Sequence, residues 1–293
     1  MFVLAHLSDP HLAPLPRPRP LDLLSKRGLG YINWLRKRRA IHRAEVLATL
    51  VADVKAHTPD HVAVTGDLVN LSLPDEFARA RDWLMQLGDP ASVTVVPGNH
   101  DSYVRSAKGL AERDWAGHMR GDAGESFPFV RRRGPLALIG LSTSLPTLPL
   151  AATGRLHSDQ ITRLAEILAE LKREQAFRAI LIHHPPFEGA NYFRRLSDAA
   201  PFRKVLHQHG AELVLHGHHH EASLNWLPGP QIRIPVVGVP SASGAPGLHD
   251  DPAGYNLYEI EGAWGAWRCT MIARGWQSES GGIGELRRLP LFA

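Results

Sequence analysis

Val93-Thr94-Val95-Val96-Pro97-Gly98-Asn99-His100-Asp101 is the stretch on which the predicted fold depends. Its run of β-branched residues predicts a short buried strand, and the Pro-Gly pair predicts a chain reversal directly after it. An amide, an imidazole and a carboxylate then follow at the mouth of that strand. Three polar side chains are costly to place there unless something pairs them, and a metal ion would do so.

Four other predicted strands, at residues 2–7, 61–65, 179–182 and 213–215, also end on possible metal ligands. Functional sites in open α/β sheets form at the carboxyl ends of strands. A single Asp there is often a turn cap, and a single His is often a hydrogen-bonded core residue. Strand ends of this kind repeated along one chain argue instead for one shared site. Its residues would be Asp9, His11, Asp67, Asn99, His100, His183, His218 and His220.

These residue types suit a pair of divalent metal ions. Two such ions need about four protein groups each, with one carboxylate shared between them. Carboxylate, imidazole and amide ligands without sulfur suit manganese, iron, zinc or nickel, and they do not single out one metal.

The order of these motifs resembles the calcineurin-like metallophosphoesterase superfamily. The motifs are Asp9-x-His11, Gly66-Asp67, Gly98-Asn99-His100-Asp101, His183 and Gly217-His218-x-His220. The resemblance implies an α/β fold, a four-layer α/β/β/α sandwich with two mixed β-sheets flanked by helices. It implies a metal-dependent phosphohydrolase, and we expect a phosphodiesterase with a dinuclear metal site.

The resemblance also implies a role for each motif residue. One metal would be held by Asp9, His11, Asp67 and His220, and the other by Asp67, Asn99, His183 and His218. A metal-bridging hydroxide would attack phosphorus in line. His100 would face the scissile phosphate, to steady the transition state or to protonate the leaving oxygen, and Asp101 would orient it. His184, beside a ligand, is a candidate for substrate binding.

Departures from subfamily patterns narrow the resemblance. Asn70 stands where Ser/Thr phosphatases have an aspartate and purple acid phosphatases a tyrosine ligand, and Asp101 stands where the former have a glutamate. What remains resembles the small bacterial branch, with its cyclic-nucleotide and glycerophosphodiester phosphodiesterases. The alternatives are a membrane-surface hydrolase of lipid-linked pyrophosphates or phospholipids, like the UDP-diacylglucosamine hydrolases, and a non-catalytic scaffold of the same fold.

Composition places the chain among globular proteins. It has 293 residues, of which 44% are hydrophobic and 21% charged, and its one cysteine, Cys269, excludes an internal disulfide framework. No apolar run approaches the roughly 18 residues of a membrane helix. Residues 1–5 lack the basic start of a signal peptide, so we expect a cytoplasmic protein, with one domain over residues 1–293.

Residues 14–43 form a basic insert after the first motif. Residues 17–43 carry a net charge of +8, which leaves −4 for the rest of the chain, so we do not expect nucleic acid as a partner. Leu residues, Tyr31 and Trp34 are mixed here with Arg36 and Arg39, two candidates for substrate binding. The insert could cap the site, which we favour, or contact an anionic membrane surface through an amphipathic face.

Local patterns predict several helix boundaries. We expect residues 21–39 to form one or two short helices broken at Gly28 and Gly30, and residues 39–57 to form another helix. A helix is also predicted over residues 103–119, and Ser158 is predicted to cap a strongly periodic helix that ends near Leu171. Only strands and turns are predicted after residue 222.

Overall fold

Two six-stranded β-sheets form the core of the computed structural model, which describes residues 1–187, 191–248 and 251–292. The strands are β1 (Phe2–Leu7), β2 (His61–Val64), β3 (Val93–Val95), β4 (Phe129–Arg133), β5 (Leu136–Gly140), β6 (Phe177–Leu181), β7 (Leu213–His216), β8 (Ser223–Pro228), β9 (Arg233–Gly238), β10 (Gly254–Glu261), β11 (Arg268–Gln277) and β12 (Gly282–Phe292). The predicted strand-only character of the chain after residue 222 is confirmed for the described residues.

Both sheets are mixed. The first has the strand order β12-β11-β10-β1-β2-β3, and the second has the order β4-β5-β6-β7-β9-β8. Strands β1, β2 and β3 run parallel, as do β5, β6, β7 and β9, while the remaining neighbours pair antiparallel. In each sheet the parallel strands therefore end at a common edge, where their following loops can meet.

The helices are α1 (Lys26–Asn33), α2 (Arg39–Ile41), α3 (Ala44–Ala56), α4 (Pro74–Leu87), α5 (Leu110–Asp114), α6 (His157–Arg173) and α7 (Ala199–His209), with a π-helical turn over Trp34–Arg38 between α1 and α2. Helices α3, α4 and α5 pack on the first sheet, and α6 and α7 pack on the second. Within the described ranges, no helix is long and apolar enough to cross a membrane.

Alternation along the strands divides the core into three apolar layers. In β1, Ala5 packs in the layer formed with α3 and α4, whereas Leu4 packs in the layer between the sheets with Leu181 and Leu215. A third layer joins the second sheet to α6 and α7. The predicted four-layer α/β/β/α sandwich is confirmed.

Residues 26–41 are helical without interruption, so the predicted breaks at Gly28 and Gly30 are wrong. The interruption in helical structure lies at Ser25 instead. The Ser25 Oγ caps α1 by accepting a hydrogen bond from the Arg27 amide. A glycine costs a helix about 1 kcal/mol. The close packing of Gly30 against Leu71 and Tyr103 offsets that cost.

The helix predicted over residues 39–57 is divided at His42 and Arg43. There the chain forms a β-bridge with Gly244, and the Arg43 amide donates to the Ser243 carbonyl at 3.0 Å. A backbone that bonds sideways to another loop cannot also continue the helical ladder, so α3 begins only at Ala44.

The helix predicted over residues 103–119 is also wrong. Only α5 and short 3₁₀ turns at residues 105–107 and 116–118 are present. Gly109 has φ of +82°, in the left-handed region that a continuous right-handed helix excludes.

The N-terminus of α6 is capped by a distant residue. The Asp198 carboxylate accepts hydrogen bonds from the amides of Leu156, at 3.0 Å, and His157, at 2.9 Å. The predicted cap, Ser158, lies inside the helix, and its hydroxyl bonds to Asp159. The cap therefore comes from the chain that leads into α7.

We expect Asp198→Ala to lower the free energy of unfolding by about 1 kcal/mol, because two amides at the start of α6 lose their acceptor. Urea unfolding followed by circular dichroism would measure the change. Ser158→Ala is the matched control and should leave the stability unchanged. If Ser158→Ala lowers the free energy of unfolding more than Asp198→Ala does, Ser158 is the cap, as the sequence predicted.

Candidate metal centre

The loops that follow five parallel strands bring the predicted ligands to one edge of the sandwich. These side chains are largely buried, and the loops follow β1, β2, β3, β6 and β7. The structure brings together Asp9 and His11, Asp67, Asn99 and His100, His183, and His218 with His220. Strand ends that are remote in sequence thus converge, as their hydrophobic patterns indicated.

One group of ligand atoms surrounds His11. Its Nε2 lies 3.9 Å from Asp9 Oδ1 and 3.8 Å from Asp67 Oδ2. His220 joins them, with its Nε2 3.2 Å from Asp9 Oδ1 and 3.3 Å from His11 Nε2. The Nδ1 of His11 donates to the Val69 carbonyl, which leaves Nε2 facing the carboxylates. Metal-binding histidines commonly show this arrangement.

A second group surrounds His183. Its Nε2 lies 3.5 Å from Asp67 Oδ2 and 3.2 Å from Asn99 Oδ1, while its Nδ1 donates to the Thr65 carbonyl. His218 packs beside it, with ring centroids 5.2 Å apart. The Nε2 of His218 donates to the Arg194 carbonyl, which leaves Nδ1 free for another partner. Asp67 therefore contacts both groups.

Left-handed backbone conformations recur among these residues. They are found at Asp9 (φ 52°), His11 (37°), Asp67 (55°), His218 (73°) and His220 (60°). Residues other than glycine rarely adopt this conformation, and such strain concentrates at functional sites, where the surroundings enforce it. The fold therefore stores strain in the loops that present these side chains.

The donor set fits a pair of divalent cations. Two fully buried carboxylates, Asp9 and Asp67, share the site, and Asp9 Oδ1 has no hydrogen-bond partner. Burial by itself would raise the pKa of Asp67, but His183 and His100 hold that pKa well below its usual range. Buried anions with an oxygen left over call for a cation, and this oxygen and nitrogen set suits one.

Two glycines keep these carboxylates in place. A Cβ at Gly98 would overlap the Asp67 carboxylate, and a Cβ at Gly217 would overlap that of Asp9. Both carboxylates thus lie against bare backbone, and the glycines of the Gly-Asn-His-Asp and Gly-His-x-His motifs have a steric role.

Asp101 does not contact the ring of His100, contrary to its predicted role. Its Oδ2 accepts hydrogen bonds from the amides of Asp67 and Gly98, both at 2.8 Å. Its Oδ1 accepts from the amides of Leu68, at 2.9 Å, and Val69, at 3.2 Å. The carboxylate thus joins the loop after β2 to the loop after β3, at the backbone that carries Asp67.

His100 is oriented by a backbone carbonyl. Its Nδ1 donates to the Asn70 carbonyl at 2.5 Å, and its ring stacks on Tyr103 with centroids 5.2 Å apart. Burial and the nearby Arg38 lower the pKa of His100 to about 3. The ring is therefore neutral near pH 7, with Nδ1 protonated and Nε2 able to accept a hydrogen bond.

Arg38 enters the site from the insert, which sequence reasoning missed. Its guanidinium donates to Nε2 of His100 and to Nε2 of His11, both at 2.7 Å. The predicted substrate-binding residues Arg36 and Arg39 are exposed and do not line the cavity. Arg38 follows Arg27 by eleven residues, about three helical turns, but this spacing does not show which face of the helix is turned inward.

Arg27 anchors the insert to the loop beside His100. Its Nε donates to the Leu71 carbonyl at 3.0 Å, and its Nη2 donates to the Ser72 carbonyl. Ser72 in turn donates its hydroxyl to the His100 carbonyl at 2.5 Å. The first helix of the insert and the residue expected to act on phosphate are thus tied to the same loop.

The candidate metal ligands open into a cavity of about 490 Å³, which is within the usual range for small-molecule sites. Its polar floor contains Asp67, Asn99 and His100, and the insert forms one wall. Four cationic residues line it: Lys26, Lys37, Arg38 and Arg194. Burial lowers the pKa of Lys26 to about 8, so it remains largely protonated at pH 7. The cavity suits an anion.

His184 does not line this cavity, although it was a candidate for substrate binding. Its Nε2 donates to the Ala152 carbonyl at 3.1 Å, and its Nδ1 accepts from the Thr143 hydroxyl at 2.7 Å. Both ring nitrogens are thus used within the protein, and the residue supports the loop next to His183.

His42 is a further histidine at the site that the sequence motifs do not include. Its ring lies 4.4 Å from that of His11, and its Nδ1 pairs with the Ser243 hydroxyl at 2.9 Å. No sequence signal placed it there, because the β-bridge to Gly244 that turns it inward is a long-range contact.

Comparisons with known proteins place the similar sequences among phosphoesterases. A family model for calcineurin-like phosphoesterases matches residues 2–222. A probable cyclic nucleotide phosphodiesterase of Synechococcus sp. is 28% identical over 223 residues, which cover 74% of this chain and 79% of that protein. A probable glycerophosphodiester phosphodiesterase, GpdQ, of Arcobacter nitrofigilis is 25% identical over 50% of this chain and 49% of its own length.

Among solved structures, a dimetal phosphatase from Danio rerio superposes with a TM-score of 0.64. The two proteins are 15% identical, and the match covers 99% of this chain and 98% of that one. At this identity the likeness concerns the fold.

We expect Asp101→Asn to destabilise the metal-free protein by about 3 kcal/mol, because the amide leaves two buried backbone N–H groups without an acceptor. Urea unfolding in the presence of a chelator would measure this. Asp82→Asn, at a carboxylate that is 62% exposed, is the control and should change little. Unchanged stability with reduced turnover would favour the role predicted from sequence, orientation of His100.

Proposed function

The chain belongs to the calcineurin-like phosphoesterase family, and from that premise we propose that it is a metal-dependent phosphodiesterase with a dinuclear metal centre. The observation that carries the proposal is the position of Asp67, whose carboxylate contacts both histidine groups. A carboxylate shared between two ions is the central element of two-metal hydrolysis of phosphate esters. The names of the two curated relatives, both phosphodiesterases, support a diester as the substrate.

The two metals would have separate sets of side chains, except that both would share Asp67. Asp9, His11, Asp67 and His220 would hold one ion, and Asp67, Asn99, His183 and His218 would hold the other. When bound, the ions would supply Lewis acidity toward the phosphoryl oxygens and activate the attacking water. The donor set is compatible with manganese, iron and zinc.

We assign to His100 an action on a phosphoryl oxygen of the substrate. The Asn70 carbonyl fixes its Nδ1, and its Nε2 is the nitrogen on the side of Arg38. An anionic phosphate beside Nε2 would favour the protonated ring, which could then donate a proton to the leaving oxygen. Asp101 contributes through the backbone of the Asp67 loop.

The insert of residues 14–43 acts in this proposal as a cap on a single domain. Its helix brings Arg38 to Nε2 of His11 and Nε2 of His100. A metal ion on His11 would take the place of that hydrogen bond and leave the guanidinium to the substrate, and Lys26 and Lys37 add positive charge to the same cavity. A guanidinium in a partly buried site can pair with two phosphate oxygens at once. We therefore assign Arg38 to binding the phosphoryl group of the substrate.

Initial rates on bis(p-nitrophenyl) phosphate and p-nitrophenyl phosphate, with added manganese or with chelator, test the proposal. We expect manganese-dependent turnover of the diester that chelator abolishes, and slower turnover of the monoester. An enzyme that binds metal but hydrolyses neither compound would contradict the assignment.

The same assay tests His100. His100→Ala should keep its metal through gel filtration, because the side chain is not among the proposed ligands, and should lower kcat about a hundredfold or more. Near wild-type kcat in that variant would exclude the role given to His100.

Arg38→Ala should lower kcat/KM for the diester about a hundredfold, because the phosphoryl charge loses its guanidinium partner. Arg43→Ala is the control, since that side chain is 53% exposed and lies beyond the cavity lining. Equal kcat/KM for the wild type and the Arg38 variant would contradict the assignment of Arg38 to phosphoryl binding.

A further inference from the structure

Exposed apolar side chains concentrate around the mouth of the cavity. Fourteen large apolar side chains are exposed among the described residues, and nine of them belong to the insert and two neighbouring loops. These nine are Leu21, Leu24, Leu29, Ile32, Leu35, Leu148, Leu150, Tyr192 and Phe193, which we call the mouth surface. Scattered exposed apolar residues are ordinary, but a contiguous group of them indicates an interaction site.

The insert helix is inverted relative to a helix of an ordinary globular protein. Its leucine-rich ridge faces solvent, with Leu29 53%, Ile32 47% and Leu35 49% exposed. The opposite face, with Arg27 and Arg38, is turned toward the protein. A helix on a water-exposed surface normally buries its apolar face, so this orientation suits an apolar environment outside the molecule.

Hydrogen bonds join the three segments that carry the mouth surface. The insert reaches the loop of residues 147–152 through Lys26, whose Nζ donates to Thr147 Oγ1 at 2.7 Å and to the Ala151 carbonyl at 3.0 Å. That loop meets residues 191–195 where the Ala152 amide donates to the Phe193 carbonyl at 2.7 Å. Each segment exposes apolar side chains, and Leu24, at 83%, and Leu150, at 89%, are the most exposed of the nine.

Basic side chains are mixed with these apolar ones. Arg36, Lys37 and Arg39 are exposed on the insert helix next to Leu35, and Arg17 and Arg19 are exposed just before it. The loop of residues 147–152 carries no charge. In the neighbouring loop, Arg195 lies over the ring of Tyr192, 4.2 Å from its centroid. The combination of leucines, aromatic residues and a local excess of Lys and Arg is typical of a surface that inserts shallowly into anionic lipid.

We propose that the mouth surface docks on an anionic lipid bilayer, so that the phosphodiester that reaches the cavity belongs to an amphiphile of that bilayer. The claim about the substrate rests on the proposed function. The claim that the surface docks on a bilayer rests on the exposed residues alone. Charge complementarity selects this occupant: a local excess of positive charge next to exposed leucines matches anionic headgroups above an apolar interior. The cavity then opens toward the membrane, and Leu29 and Leu150, which line it, would face the lipid chains.

Vesicle co-sedimentation in the presence of chelator tests the docking independently of turnover. The purified protein would be mixed with phosphatidylcholine vesicles and with vesicles that also contain phosphatidylglycerol. We expect binding only to the anionic vesicles, weakened by salt. Leu24→Ser combined with Leu35→Ser should reduce that binding about tenfold or more, because two exposed apolar groups are lost. Met85→Ser, at a 54% exposed position on α4, is the matched control and should bind like the wild type.

The outcomes separate docking from catalysis. Failure to bind anionic vesicles, or equal binding by the double variant, would overturn the docking even if the soluble diester is hydrolysed. Self-association in light scattering that the double variant abolishes would also overturn it, by assigning the surface to a second copy of the chain. Binding that the double variant loses supports the docking even if bis(p-nitrophenyl) phosphate is not hydrolysed. Faster hydrolysis of a vesicle phospholipid than of the soluble diester would support an amphiphile as the substrate. If the enzyme hydrolyses the soluble diester but no phospholipid, that claim is overturned.

Discussion

Two buried carboxylates at the edge of the sandwich determine which groups must surround them in the rest of the site. Asp9 and Asp67 are both shielded from water, and imidazoles, backbone amides and Arg38 surround their charges. The left-handed loops, the bare backbone at Gly98 and Gly217, and the carboxylate of Asp101 all serve to hold this arrangement. The hydrophobic layers of the two sheets provide the rigid base from which the loops extend.

The site has two parts of different origin. The sheets supply the proposed metal-binding groups, which follow the ends of strands, so that their positions depend on the strand register. The insert supplies positive charge from the opposite side of the cavity, on a helix whose π-helical turn includes Arg38. Such π-helical turns inside helices are frequent at functional sites, because the extra residue changes which side chains share a face. The division matches the chemistry: metal ions would be fixed by the rigid core, and the substrate would be bounded by a surface helix.

The sandwich and the grouping of the candidate ligands could be predicted because both depend on short local patterns in the sequence. An apolar strand followed at once by Asp or His is visible in a window of a few residues, and strand order brings such windows together. The interactions that sequence reasoning missed join residues far apart in sequence. Asp198 caps a helix that begins 41 residues earlier, His42 is turned inward by Gly244, and Asp101 binds amides of the β2 loop. The insert was hardest to interpret, since leucines and arginines at helical spacing do not reveal which face is turned outward.

The anchoring of the insert by Arg27 makes it inseparable from the loop of residues 70–73. Its carbonyls accept hydrogen bonds from the guanidinium of Arg27, at Leu71, and from Nδ1 of His100, at Asn70. The loop is held in turn by Glu76, whose carboxylate accepts hydrogen bonds from the amides of Asn70, Leu71 and Leu73. Arg27 and Glu76 therefore join the insert, the loop and the start of α4 through one set of hydrogen bonds. A chimera that exchanged the insert alone would remove the anchor of this loop along with the wall of the cavity. An exchange that keeps the anchor would move residues 14–43 and 70–76 together.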